Sequence, residues 1–189
     1  MNQVKIAVIV GSLRYASLNR KLAHNLEKVA PAHFILNQLI IGDLPLYNQD
    51  DDEEPCKEVI RLKSEIHAAD GLIFITPEYN RSIPGVLKNA IDHASRPYGK
   101  SVWRKKPAGI LGVSVGMTGT ALAQQHLRNI LAYLDVPVLG QPEVFVQDKK
   151  DLFDGEGNLG ELHLPLIQNW MDCFAGWVKT QTAESTQIS

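Results

Sequence analysis

Two short stretches of the chain concentrate side chains able to hold or polarise a ligand. In "GSLRYASLN", residues 11–19, one glycine, three short polar side chains (Ser12, Ser17, Asn19) and Arg14 stand between the apolar run "VKIAVIV" and a helical pattern. A strand that turns through a glycine into a helix leaves backbone N–H groups unpaired, and the helix turns the positive end of its dipole towards them. That inventory suits an anion, a phosphate above all. It equally suits an ordinary strand-to-helix turn capped by Ser or Asn, because neither the Walker nor the dinucleotide glycine pattern is present. In the second stretch, "TPEYNRSIPG" (76–85), a proline directly after an apolar run and a Pro-Gly before a helical pattern stiffen the backbone. Glu78, Tyr79, Asn80 and Ser82 supply polar groups to that ledge, which read alone is also a well-made turn.

These loops need elements to carry them. Apolar, β-branched runs recur at 5–10, 33–40, 71–76 and 107–116, with a weaker one at 142–146. Continuous apolarity predicts strands buried on both faces. Helical patterns fall between them at 17–29, 56–69, 84–96, 118–134 and 160–179, with Pro31, Pro84 and the acidic start "EEPC" as boundary signals. Strict alternation of strand and helix predicts a three-layer α/β/α sandwich around a five-stranded parallel sheet. In such a sheet every strand-to-helix loop lies at the carboxyl edge, where ligands bind. The loops after the first and third strands flank the switch point of a flavodoxin-like order 2-1-3-4-5. One domain is expected over 1–179, followed by a polar, frayed tail at 180–189.

Composition narrows the function. Of 189 residues, 44% are hydrophobic and 21% charged, and a formal net charge of −2 argues against nucleic acid as a partner. The two cysteines, Cys56 and Cys173, have no metal-ligand or redox spacing, so neither a disulfide nor a metal site is expected. No apolar run approaches a membrane span, and Ile6 to Val10 is too short for a signal-peptide core. A cytoplasmic protein without a membrane partner is expected.

The pattern G-S-L-R-x-x-S-x-N after the first strand, followed by P-E-Y-N-x-S-x-P-G-x-L-K-N-A-I-D after the third, resembles the NADPH-dependent FMN reductase family, and within it the bacterial quinone and chromate reductases. The resemblance continues through "LPLY" (44–47), "HLRNIL" (126–131) and "QPE" (141–143). It implies non-covalent FMN, with NADPH or NADH as reductant, and a hydride passed through flavin N5 to quinones, free flavin, azo dyes or metal oxyanions in a ping-pong cycle. It implies that Ser12, Arg14, Ser17 and Asn19 hold the FMN phosphate. Pro77, Glu78, Tyr79 and Asn80, with Ser82, would border the ring, and Ser114, Gly116 and Met117 would support its other side. No catalytic side chain is obligatory, because the flavin carries the chemistry. The family's habit implies a homodimer or homotetramer.

One position departs from the pattern: after P-E-Y-N the quinone reductases often carry an aromatic residue, and here it is Arg81. An arginine there can attract an anionic substrate or the NADPH phosphates, or form an exposed or intersubunit ion pair. A flavodoxin-type electron shuttle is the alternative function, although such shuttles are typically strongly acidic, and a flavin or nucleotide sensor is a second. Other features are assigned no chemistry. "RKK" (104–106) precedes the fourth strand and so belongs to the far edge, and the acidic run 50–54 suits a helix N-terminus. His24, His67, His93, His126 and His163 fall in helical patterns without a ligand-spaced partner, and His33 opens a strand.

Overall fold

The computed structural model describes residues 3–187, with side chains to 183. Five strands alternate with five helices: β1 (Val4–Val10), α1 (Leu18–Val29), β2 (Phe34–Gln38), α2 (Lys57–His67), β3 (Gly71–Ile75), α3 (Gly85–Ser95), β4 (Ala108–Ser114), α4 (Ala121–Tyr133), β5 (Phe145–Gln147) and α5 (Leu164–Gln187). All pairings are parallel and the order is β2-β1-β3-β4-β5, as the alternation predicts.

Side chains of a strand alternate between its faces, so the central strands β1, β3 and β4 feed two cores, while Ile35 on β2 and Phe145 on β5, at the sheet edges, stay exposed. Ile6, Val8 and Val10 of β1, with Ile73, Ile75, Leu111 and Val113, meet Leu22 and Leu26 of α1 and Trp170, Met171 and Phe174 of α5. Ala7, Ile9, Leu72, Phe74 and Ile110 face the other way, against Leu62 and Ile66 of α2, Leu87 and Ile91 of α3 and Leu127 and Leu131 of α4. On the first face Trp170 and Phe174 stack with ring centroids 5.4 Å apart. They close down over Gly109, where a Cβ would stand 2.7 Å from Trp170 Cζ2, so β4 must be bare at that point.

Three elements have boundaries that differ from the sequence expectation by several residues. β5 pairs only over Phe145–Gln147 rather than 142–146, because Pro142 has no N–H to give and the Glu143 N–H turns to Gln141 Oε1 at 3.3 Å. α4 starts at Ala121 rather than 118, because Gly119 holds a left-handed φ of 59° that a helix cannot include. α5 starts at Leu164, after Gly160 O has accepted the N–H groups of His163 and Leu164. It runs to Gln187, past the expected end at 179, so 180–187 is helical rather than frayed. Polar residues suit the solvent side of a helix whose Val178 is buried, and Thr180 Oγ1 and Thr182 Oγ1 donate back to Gly176 O and Val178 O. Residues 188–189 of the expected tail lie outside the described residues.

The amino edge carries fixed cations. Arg104 pairs with Asp135 at 2.9 Å, while Lys106 Nζ donates to His67 O and Ala69 O and so caps the end of α2. Burial lowers the pKa of Lys106. "RKK" therefore sits at the far edge, with one of its lysines bound to the fold rather than solvated. No helix among the described residues is long and apolar enough to cross a membrane.

Candidate functional site at the carboxyl edge

β1 and β3 stay paired up to the bond from Gly11 N–H to Ile75 O, 2.8 Å long. Beyond it one chain leaves towards α1 and the other towards α3, and a cleft opens between them. It measures about 430 Å³ with the open solvent at its mouth included, and is lined by Ser12, Arg14, Ser17, Leu18, Asn19, Pro77, Glu78, Tyr79, Val113, Ser114 and Val115.

The first wall is a set of donors. The backbone N–H groups of Ser12 to Ala16 meet no acceptor among the described residues, and those of Leu18 and Asn19 open α1 unpaired. Ser17 caps the helix: its Oγ accepts the Arg20 N–H at 3.2 Å, which leaves the hydroxyl proton free to donate. Ser12 and Ser17 are buried at the base, and the Ser12 hydroxyl has no partner among the described residues. Arg14 is exposed and makes no ion pair there. The first turn of α1 carries no acidic residue, so nothing on it opposes the dipole.

Asn19 behaves differently from its neighbours. It is buried, and its amide makes a reciprocal pair of bonds with one residue of β4: Nδ2 donates to Val113 O and Oδ1 accepts the Val113 N–H, both at 2.9 Å.

The second wall is a tight hairpin. Tyr79 N–H donates to Ser82 O at 2.9 Å and Ser82 N–H to Tyr79 O at 3.0 Å, with Asn80 and Arg81 at φ 50° and 62° between them. Two left-handed residues in succession make a type I′ turn, a conformation that Asn tolerates and Arg rarely adopts. Glu78, at the base of this turn, reaches across to α4, where Oε2 accepts the N–H groups of Leu122 and Ala123 at 3.0 and 3.1 Å. α4 needs that acceptor, because its N-cap residue Thr120 makes no capping bond of its own. Asn80, Arg81 and Ser82 project beyond the cleft lining, and Ser82 Oγ meets His126 Nδ1 at 3.0 Å.

On β4, Ser114 faces the cleft while its Oγ accepts the Gly116 N–H at 3.1 Å. Gly116 and Met117 stand outside the lining, with Met117 92% exposed. Thus the cleft gathers Ser12, Arg14, Ser17, Asn19, Pro77, Glu78, Tyr79 and Ser114, and the remaining candidates form its outer rim. The lining residues not anticipated, Leu18, Val113 and Val115, are apolar neighbours of the polar positions. Their signal was adjacency alone. Of the histidines, His93 is buried with Nε2 2.9 Å from Pro45 O, and His163 precedes α5 instead of lying within it.

Chemically, then, one wall offers hydroxyl, guanidinium and N–H donors to an anion, and the other offers a flat, braced backbone ledge. The family model for NADPH-dependent FMN reductases matches residues 4–151. The chain is 50% identical over 177 residues to a 2-hydroxy-1,4-benzoquinone reductase of a Burkholderia species, spanning 93% of this chain and 97% of that one. It is 45% identical over 185 residues to a quinone reductase of Pseudomonas putida, spanning 97% and 100%. Among solved structures it superposes on FerB, a flavoenzyme NAD(P)H:(acceptor) oxidoreductase of Paracoccus denitrificans, with a TM-score of 0.89 at 41% identity over 94% of this chain and 98% of that one.

Proposed function

Because the chain belongs to the NADPH-dependent FMN reductase family, we propose that the carboxyl-edge cleft seats FMN with its phosphate on the Ser12–Ser17 loop and its ring between the Pro77–Tyr79 ledge and Ser114. The protein is an NAD(P)H-dependent flavoprotein oxidoreductase of the quinone reductase kind. FMN supplies a centre that takes a hydride from NAD(P)H and gives the electron pair to an acceptor.

The observation that carries the site is the run of unpartnered N–H groups over Ser12 to Ala16, ending at the positive end of the α1 dipole beside the hydroxyls of the buried Ser12 and Ser17. A loop with so many donors and no acceptor, exposed over 13–16 and buried at Ser12 and Ser17, fits a dianion. Arg14 adds a charge-assisted bond at the mouth, where a phosphate remains within its reach. Ser17 donates its proton while still capping α1. Pro77 and the I′ turn fix the ledge, and Glu78 braces that ledge against α4. The ledge presents backbone groups in a set orientation, so little reorganisation is needed as charge develops on a bound ring.

Both substrates use the one open mouth in turn, which makes turnover ping-pong. Quinones are the acceptors of choice, and free flavin, azo dyes and metal oxyanions such as chromate are admitted by an open site that makes few directed contacts. Arg81, at the tip of the turn and without an ion pair among the described residues, favours NADPH through its 2′-phosphate. The exposed Leu13, Tyr15, Val115 and Met117 around the mouth supply the apolar surface for a homodimer or homotetramer. Cytoplasmic placement accords with two exposed free cysteines.

Steady-state oxidation of NADPH and of NADH by FMN-loaded protein across a panel of quinones and the other acceptors tests this reading. Parallel double-reciprocal lines with a quinone are expected. Apoprotein that binds no FMN, or loaded protein that leaves NAD(P)H unoxidised with every acceptor, refutes it.

A further inference from the structure

β3 and β4 are paired through Ile75 and Leu111, and the Thr76 N–H still donates to Leu111 O at 3.1 Å. Peptide groups of a strand face its two neighbours alternately. Leu111 O faces β3, whereas Ser114 O, which accepts the Asp148 N–H, faces the β5 side. Val113 therefore turns its N–H and its C=O back towards β3. Had β3 continued, the Thr76 carbonyl would accept that N–H and the Glu78 N–H would donate to that C=O. Neither does so, because the chain swings away at Pro77 towards the hairpin. The Asn19 amide fills both roles: its Oδ1 stands in for the missing carbonyl and its Nδ2 for the missing N–H.

We infer that Asn19 is a positioning residue which, acting as a one-residue substitute for strand β3, sets the opening of the cleft and locks the phosphate-side loop to the ring-side end of β4. This rests on reading the cleft as the FMN site, and it reassigns Asn19 from phosphate ligand to clamp. The carboxamide suits the task because it carries one acceptor and one donor in a plane, like a peptide. Without it, Val113 would present two unpaired backbone groups in a buried place, and the β3 and β4 ends would be free to close on each other. Asn19 is the second residue of α1, two after the Ser17 cap, so any drift of Val113 carries the donor loop with it. The two ends of the cofactor site are thus one mechanical unit.

The test compares wild-type, Asn19→Ala and Asn19→Ser apoprotein, the serine variant serving if the alanine variant folds poorly. Flavin fluorescence quenching gives the affinities for FMN and for riboflavin, which lacks the phosphate. Loss of two buried hydrogen bonds predicts weakening on the order of tenfold for both ligands, with their ratio unchanged. Weakening of FMN alone would mean that the amide holds the phosphate, and no weakening of either would mean that the clamp positions nothing; both results overturn the inference. Amide hydrogen exchange of the apoproteins supplies a readout independent of flavin. Exchange at Val113 should accelerate at least about tenfold while Ile73, mid-strand in β3, stays protected; unchanged exchange at Val113 overturns the clamp. Wild-type protein that binds neither flavin refutes the cofactor reading instead, and the exchange experiment still decides the clamp.

Discussion

Removing the Glu78 carboxylate should loosen α4 before any flavin is present. Its Oε2 accepts two backbone N–H groups of the first turn of α4, at 3.0 and 3.1 Å, and no other side chain among the described residues caps that helix. A lost cap costs about 0.5 to 2 kcal/mol. A carboxylate near a helix N-terminus contributes a further 0.3 to 1 kcal/mol or so. Since Glu78 is half-buried, water replaces it only in part, and Glu78→Ala should cost about 1.5 to 2.5 kcal/mol. For a chain of this length that is a fall in melting temperature of about 3 to 10 °C. Glu78→Gln keeps an acceptor oxygen and loses only the charge, so its effect should fall between wild type and alanine. Urea titration of the apoproteins by circular dichroism measures both, and an unchanged m-value would show that the unfolded state is not responsible. A change below about 0.5 kcal/mol for Glu78→Ala would refute the reasoning, because a cap that water replaces at no cost braces nothing.

At the phosphate end, Arg14→Ala should weaken FMN about tenfold to a hundredfold and leave riboflavin almost unaffected, given about 1.5 to 3 kcal/mol for a bond to a charged group. Equal losses in fluorescence titrations would move the phosphate elsewhere. Arg81→Gly should raise stability by about 1 kcal/mol by relieving the left-handed φ, and in the same variant KM should rise for NADPH and not for NADH. Equal shifts for the two nucleotides would remove the 2′-phosphate contact. The pKa of Asp154 lies below its ordinary 3.8, chiefly through hydrogen bonds from the Asn158 side chain and N–H. A depressed carboxylate contributes stability that is present above the unfolded value and lost as pH falls through the folded one. Asp154→Asn should therefore lower the urea midpoint above about pH 4 and converge with wild type in stronger acid; curves that stay parallel at all pH values would contradict it.

The buried strands were legible because a parallel sheet leaves little room for polar residues, and β1, β3 and β4 appear as apolar runs with polar residues only at their ends, Lys5 in β1 and Ser114 in β4. β5 was legible only approximately, since an edge strand of three residues carries almost no pattern. The end of α5 was hidden by composition: a polar run looks like a tail when the packing that keeps it helical comes from residues upstream. In the site, the loops could be located and the work of their side chains could not. Asn19 meets a partner 94 residues away and Glu78 one 44 residues away, and local spacing carries no information about either. The turn at Asn80 and Arg81 was equally silent, because no glycine announces its second left-handed position.

The crowding beneath the cleft has a consequence for altering its acceptor range. A Cβ on Gly112 would overlap the Thr76 carbonyl oxygen and stand 2.8 Å from Thr120 Oγ1, so every replacement there collides with backbone that cannot yield. Gly112 is also the residue that pairs β4 with Phe145. That position is in effect closed to variation, whether by natural drift or by a mutagenic library, whereas Leu13, Tyr15, Val115 and Met117 are exposed on the protomer and can change with little penalty to its fold, at the expense of the proposed subunit contact they supply. A search for variants with an altered acceptor preference should randomise those rim positions and leave Gly112 untouched.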